Sequence, residues 1–588
     1  MLSVSVLFAF LILAFILLFL SGLPDLRMCS LPVTASSDCR RSDCRSAWIC
    51  VLLIMLAYSA AAFYHLGNTK SPQSFVRMQN NPAVISLNQE KTPAYLLLFP
   101  GVGIGSYSIE TSEDAEGWIP ISEFSQDHVA VLKWQRIDLT ESVLSNYIRI
   151  CCVSGDPWLG EIGLISPEGE RIDFLCSLKE LSDEQELLQT TSNYRNSSYF
   201  DEIYHARTAW EQLNGIWPYE ISHPPLGKEI MSLGILLFGM TPLGWRFSGT
   251  IIGILMLPLM FLFLQRLFRN KRISILGTIL LAAGFMHYSQ TRIATIDSYA
   301  VFFILLMYYF MHGWIFEDSI RDLGLCGIAF GFGAASKWTC LYAGAGLAVL
   351  WLAHWVWYAY KNPKESGVVF FKNCLFCLFF FILIPACIYY LSYFPYGSAK
   401  GYSLFSREYL QMVIDNQSFM FHYHSGIVAE HPYSSRWYQW ILDLRPILYY
   451  LEYYSDGTRS SIAAFVNPLI CWTGLLSLPI LVFMAAVRHE RTACFLLVAY
   501  ASGIVPWMFI NRLTFAYHYF ASALFLIPMI CYLFFLIETG NRYSRYFTVG
   551  FTACAVFLFI LFFPILNGIP VDNVKTSELL GWLPSWPI

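Results

Sequence analysis

Asn196-Ser-Ser-Tyr-Phe-Asp-Glu-Ile-Tyr-His205 places two adjacent carboxylates, Asp201 and Glu202, at the start of a short amphipathic stretch. Before it lies a polar segment, 68–195. After it the chain turns apolar, and repeated apolar runs continue to about residue 566. The pair therefore stands where a water-facing segment meets a membrane domain. How often the chain crosses the bilayer on either side decides the fold.

The composition agrees with a membrane domain. Of 588 residues, 56% are hydrophobic and 13% are charged, against about a quarter charged in soluble proteins. Apolar runs of roughly 18 residues or more read as spans. They fall at 1–22, 46–66, 242–265, 273–290, 295–316, 322–336, 338–359, 369–394, 463–487, 492–510, 515–537 and 545–566, about 12 in all. The run 1–22 has no positive start and no small-residue cleavage site, so it reads as a helix rather than a signal peptide. Arg266, Arg269, Lys271 and Arg272 follow one span. Lys361 and Lys364, Arg488 and Arg491, and Arg542 and Arg545 follow others. With the 23–45 loop, all of these fall on one side, which the positive-inside rule makes cytoplasmic. The long polar segments 68–241 and 395–462 are then extracytoplasmic, and 567–588 is a short extracytoplasmic tail. A net charge of −4 provides no polybasic face for nucleic acid.

Segment 80–178 alternates like strands, in Ala94-Tyr-Leu-Leu-Leu-Phe99, Val129-Ala-Val-Leu-Lys-Trp134 and Tyr147-Ile-Arg-Ile-Cys-Cys-Val153. Pro100-Gly101, Gly155-Asp156-Pro157 and Pro167-Glu168-Gly169 punctuate it. This predicts an all-β sandwich within 68–195, either a sugar-binding module or a structural cap. The 16 cysteines show no metal-ligand spacing.

Four constellations carry chemistry. A carboxylate at Asp201 or Glu202 can accept a proton from an attacking hydroxyl; the same pair is also an ordinary acidic helix start. His223-Pro-Pro-Leu-Gly-Lys228 makes an extended turn into a helix. Arg246, Arg292, Asp297, Lys337, Arg512 and His518 fall at the outer boundary of the spans. Charge there defaults to function, and four cations suit an anionic lipid phosphate. Snorkelling, or an Arg292–Asp297 pair, is the structural alternative. His422-Tyr-His424 and Glu430-His431-Pro-Tyr433 fit no common zinc spacing and read as a substrate-facing loop.

In order, these motifs resemble the protein O-mannosyltransferase family: Asp201-Glu202, the His223 to Lys228 motif, Arg246 opening a span, Thr291-Arg292 to Asp297-Ser298, Ser336-Lys-Trp338, His431-Pro-Tyr433, and Arg512 with Tyr517-His-Tyr-Phe520. The resemblance covers about 196–566 and implies a mainly α GT-C fold, with 46–66 as the first helix of its core. It implies a bacterial or archaeal type, since loop 395–462 has no room for a β-trefoil MIR domain. Helix 1–22 and segment 68–195 are extra; without them the span count falls to the family's eleven.

The resemblance implies direct displacement, with inversion, from a polyprenyl-phosphate mannose donor to a Ser or Thr hydroxyl of a protein. Asp201 is then the general base and Glu202 its support. Arg246, Arg292, Lys337 and Arg512 bind the donor phosphate. His223, Lys228, Asp297, His431, Tyr433 and His518 support the substrates. A lipid phosphate leaves without a general acid; no nucleotide sugar is needed and no Asp-x-Asp motif serves one, so no metal or other cofactor is expected as obligatory. Two other readings remain: a sibling GT-C transferase acting on a lipid or cell-wall polymer, such as an aminoarabinose or arabinose transferase, and a transporter. Boundary charges rather than midplane charges disfavour the transporter.

Overall fold

The computed structural model describes residues 41–87, 92–139, 146–364, 366–426, 430–540 and 543–588. The expected span 1–22 lies outside these residues. The chain divides into two compact units. One is His65–Glu220 with Met231–Ser248, and the other holds the residues up to Tyr64, Ile221–Ile230 and Gly249–Ile588.

The first unit contains the expected sandwich, although Val129–Trp134, read as a strand, forms turns. Its strands are β1 (Val76–Arg77), β2 (Ala83–Leu87), β3 (Tyr95–Pro100), β4 (Gly105–Ser112), β5 (Ile119–Gln126), β6 (Gln135–Asp138), β7 (Tyr147–Gly155), β8 (Trp158–Ile165), β9 (Arg171–Ile172) and β10 (Phe174–Cys176). One sheet runs β1-β8-β3-β6 with β9 on β8, and the other runs β10-β2-β7-β4-β5. Alternate residues face inward, as the period of two requires. Ile85, Tyr107, Ile109, Ile148 and Ile150 of one sheet share a core with Leu96, Leu98, Ile162 and Leu164 of the other. Cys151, Cys152 and Cys176 are free thiols.

The β3–β8 sheet is buried on both faces, so its outer face needs a cover. Phe75 and the helix that follows Asp201 supply it. Phe75 packs on Phe99 and on Trp210, at ring-centroid distances of 6.3 and 5.5 Å. Trp158 meets Trp210 edge-on at 6.0 Å. Trp210 belongs to the helix Glu202–Leu213, so the helix that begins at the carboxylate pair is fixed by apolar burial against the sandwich. The compact unit accordingly runs past 195 to Glu220.

Nine helices are long and apolar enough to cross a bilayer, among the described residues, and all but the start of Pro242–Phe268 lies in the second unit. A bent pair, Lys271–Ala282 and Phe285–Arg292, makes ten if counted as one span, and its two halves meet at 55°. The expected straight span 273–290 is therefore broken. Gly284 is extended, with φ −76° and ψ 116°, and Asn467 donates its Nδ2 hydrogen to the Ala283 carbonyl. The expected span 322–336 is the 17-residue helix Ile320–Ser336, about 25 Å at 1.5 Å per residue. It packs in a hairpin on Asp297–Glu317, the most buried of the spans. Asp318 turns that corner with φ 53°. Arg266 reaches Asp322 of the hairpin at 2.7 Å.

Segment 395–462 folds into the helices Phe394–Ala399, Arg407–Gly426 and Trp437–Ile441 and a hairpin, Ile447–Tyr453 with Thr458–Ala464. The tail is part of this structure. Val571–Asp572 adds a third strand to the hairpin, and Trp586 Nε1 donates to the Asp443 carbonyl at 2.7 Å.

Candidate functional site: a carboxylate loop and a cationic cluster

Phe200 takes a left-handed φ of 49°, uncommon for a side chain of that size. It turns the chain so that Asp201 precedes the helix Glu202–Leu213. The Asp201 side chain makes no capping bond to that helix; its backbone carbonyl accepts from Tyr204 and His205 at 3.0 and 3.1 Å. The helix-start reading therefore does not account for its carboxylate. Asp201 is half-buried, whereas Glu202 is wholly buried.

Glu202 is an anchor. Its Oε1 accepts from Arg246 Nε at 2.7 Å, and its Oε2 from Arg246 Nη2 at 2.7 Å and Trp245 Nε1 at 3.2 Å. Arg246 Nη1 donates to the carbonyls of Leu66 and Tyr194, each at 2.7 Å, and Nη2 to that of Ser197 at 3.0 Å. A guanidinium has five N–H donors, and all five are engaged. This corrects the expectation for Arg246. It is 1% exposed and ties three chain segments to the residue beside Asp201, so it has no donor left for a phosphate. Burial pushes the Lys133 ammonium down, while Glu202 and Asp127 oppose the shift. The sandwich thus contributes a cation to the same neighbourhood, one that sequence reading missed.

Arg292, also nearly buried, spends two of its donors on backbone. Its Nε and Nη2 donate to the carbonyls of Ala62 and Tyr64, both at 2.9 Å. These are the last carbonyls of the helix Arg41–Phe63 and the residue after it, the place where a cation satisfies orphan acceptors. Asp297 does not pair with Arg292. It takes Lys337 Nζ at 2.7 Å, both side chains being almost buried.

Around Lys337 the second unit gathers the other expected residues. Arg512 is half-buried and makes one long bond among the described residues, Nη1 to the Leu513 carbonyl at 3.5 Å; burial pulls its guanidinium down. His424 meets His223 edge-on at 5.0 Å and lies 6.5 Å from Trp338. Burial lowers His424 to about 4, and the positive charges of His223, Arg512 and Lys337 add to the shift. His424 is therefore neutral at pH 7 in a field that favours an anion. Lys228 is wholly buried and holds the His223 carbonyl and the Tyr396 hydroxyl, at 3.2 and 3.3 Å. It fixes the His-Pro-Pro turn.

His518 is a packing residue of this cluster, between Trp507 at 4.3 Å and Trp440 at 5.9 Å. His431 Nδ1 accepts from the Tyr433 amide at 3.2 Å, and the His431 ring meets Phe515 at 5.0 Å. Ser435 and Thr514 exchange two bonds, at 2.9 and 2.6 Å. These bonds bring the His431–Tyr433 loop to the segment that carries Arg512. His424, which was read only as part of a loop, is the residue best placed to sense the cations. Among the described residues, Glu161, Asp183 and Glu184 form the only group close enough to share a metal. It lies in the β unit, where Glu161 already accepts from the Glu184 amide and from Gln185.

Two family models match the chain. Residues 189–396 match dolichyl-phosphate-mannose-protein mannosyltransferase, and 409–586 match the C-terminal four-TMM region of protein-O-mannosyltransferase. A polyprenol-phosphate-mannose–protein mannosyltransferase of Mycobacterium tuberculosis is 24% identical over 460 residues, 66% of this chain and 86% of its own. One from Mycolicibacterium smegmatis is 26% identical over 456 residues, 66% of this chain and 87% of its own. The S. cerevisiae protein O-mannosyltransferase Pmt1-Pmt2 complex bound to the sugar donor superposes with a TM-score of 0.57 at 13% identity, over 66% of this chain and 89% of that one. The fold is GT-C, multi-pass in the membrane, with the β sandwich added, and the chain belongs to the protein O-mannosyltransferase family.

Proposed function

We propose that this protein transfers mannose from a polyprenyl-phosphate-linked donor to Ser or Thr hydroxyls of proteins, at the extracytoplasmic face and with inversion. The observation that carries the reading is the division of labour within the carboxylate pair. Glu202 is neutralised by Arg246, and the half-buried Asp201 makes no capping bond to the helix it precedes. Asp201 takes the proton of the acceptor hydroxyl as its oxygen attacks the anomeric carbon. The bond to the lipid phosphate breaks, and the phosphate leaves as an anion. Arg512 is the principal cation for that charge. Lys337, already paired with Asp297, contributes less, and Arg246 and Arg292 act as structural cations. Charge stabilisation of this kind needs no metal, and none is assigned a role.

The test is transfer by full-length protein in lipid, with polyprenyl-phosphate mannose and Ser/Thr peptides. Asp201→Asn should lower kcat by about 10²- to 10⁴-fold, the usual contribution of a general base. Arg512→Ala should raise the donor KM about 10-fold or more, the scale of one lost charged hydrogen bond. Undiminished transfer by Asp201→Asn would remove the base assignment. Transfer to lipid acceptors alone would replace the protein acceptor with a lipid one.

A further inference from the structure

The β unit carries an aromatic surface one helical turn from Asp201. His128, Tyr204 and Tyr219 have ring planes within 4 to 18° of each other. Their centroids are 5.8, 6.5 and 6.3 Å apart, a nearly equilateral triangle. Parallel rings stacked in contact are about 3.5 Å apart, plane to plane. Three stacked levels would put the outer pair about 7 Å apart, beyond the largest separation observed. At least two of the rings therefore lie side by side, and all three are at least partly open to solvent.

That surface is built rather than incidental. Asp127 Oδ1 accepts from the amides of Val129 and Ala130, at 2.8 and 2.9 Å, forming the turn that presents His128. Ser198 bonds the carbonyls of Leu132, through its amide at 3.1 Å, and Val131, through its hydroxyl at 2.9 Å. The sandwich loop is thereby locked to the irregular segment leading into Asp201. Tyr219 is held twice: its amide donates to Glu211 Oε2 at 2.7 Å, and the Arg207 guanidinium covers one face of its ring at 4.1 Å. Arg207 and Glu211 are themselves a buried pair at 2.7 Å. Tyr219 remains 37% exposed. Tyr204 begins one turn after Asp201, whose carbonyl accepts its amide.

We infer that His128, Tyr204 and Tyr219 form an acceptor platform, on which an extended, proline-bearing Ser/Thr segment of the substrate protein lies while its hydroxyl reaches Asp201. The inference rests on the proposed protein-acceptor function. Proline-rich segments dock on aromatic surfaces because the polyproline II form is already extended and loses little entropy on binding. At about 3.1 Å per residue, two rings side by side, ~6 Å apart, serve about two residues. The β insertion then contributes directly to acceptor choice, through His128 on its β5–β6 loop.

The experiment uses full-length protein in nanodiscs with polyprenyl-phosphate mannose. Two labelled Ser/Thr peptides, one with proline flanking the acceptor and one with alanine, are compared in turnover and in donor-free binding. Wild type should bind the proline peptide about 10-fold more tightly. His128→Ala should raise the proline-peptide KM about 5- to 10-fold and erase the preference, with donor KM unchanged. His128→Phe, which keeps a ring, should restore both. Equal peptide affinities in wild type, a donor KM that moves with the peptide KM, or displacement of the peptide by a free mannose oligosaccharide would each overturn the platform. Binding that keeps the proline preference and its dependence on His128, without transfer to any peptide, would support the platform and count against the protein-transferase reading instead.

Discussion

Removing the Glu202 carboxylate would strand the Arg246 guanidinium in a place water does not reach. Breaking a buried pair at one partner costs about 3–5 kcal/mol, because the other charge stays uncompensated. Glu202→Ala should therefore lower the thermal unfolding temperature of the protein in nanodiscs markedly. Asp201→Asn, at a half-exposed position without a capping bond, should shift stability by no more than about 0.5 kcal/mol. If the two variants melted alike, the anchor role of Glu202 would be lost. Sequence alone could pick out this dipeptide through the ordered motifs that follow it, from His223 to Phe520. It could not divide the roles, because the division depends on Arg246, which meets Glu202 only through folding. The same limit explains Arg246 and Arg292 among the expected phosphate ligands. A boundary arginine looks alike whether its donors face a ligand or the backbone carbonyls of Leu66, Tyr194, Ala62 and Tyr64.

Helix placement was legible wherever length and polarity speak together. A run of apolar residues in a bilayer must close its own backbone bonds, so it forms a helix. Breaks within such a run give a weaker signal. The bend at Ala283–Gly284 has no proline, and the chain stays apolar through it, so nothing but a glycine marks it. The run 369–394 conceals a π-helical stretch, Leu378–Leu383, against which Ile320–Ser336 packs very closely. A Cβ on Gly327 would stand 2.3 Å from the Phe380 carbonyl oxygen, and one on Gly331 2.9 Å from Pro385 Cα. Backbone cannot swing aside as a side chain can. Gly327→Ala should push the two helices apart and destabilise the membrane unit by about 1–3 kcal/mol, the usual range for overpacking. Ala329→Gly on the same helix, measured beside it by thermal unfolding, should cost about 1–2 kcal/mol, from helix propensity and the loss of one buried methyl. A Gly327→Ala protein as stable as wild type would show that the contact yields. The sandwich was legible for the opposite reason: its period of two alternates in β2, β4 and β7. β3 nearly coincides with Ala94–Phe99, which reads as a strand, but its burial on both faces leaves no mark in that reading, so the surface that holds the helix after Asp201 stays hidden.

At the scale of the whole molecule, the unit with Lys337 and Arg512 answers pH through His424. The groups around that imidazole are His223, Arg512 and Lys337, with the Ser222 carbonyl accepting from its Nε2 at 2.7 Å. Burial is the larger cause, and the cations Arg512 and Lys337, with the neighbouring His223 ring, oppose a further positive charge, so the folded protein holds His424 near 4. The unfolded value is about 6.5. Between those values the unfolded chain binds more protons, so stability is full above about 6.5 and falls as the pH drops towards 4. A bound donor reverses part of this. Its phosphodiester brings a negative charge among the same cations, makes protonation of His424 easier and takes up a proton on binding. A ligand that binds with proton uptake binds more tightly as pH falls. In nanodiscs, the rise in melting temperature caused by polyprenyl-phosphate mannose should therefore be larger at pH 5 than at pH 7.5, and His424→Gln should remove most of the difference. Arg512→Ala should shrink the donor-induced rise at both pH values, because it removes the cation that the phosphate meets. A donor-induced shift independent of pH in wild type would separate His424 from the phosphate and move the donor away from this cluster.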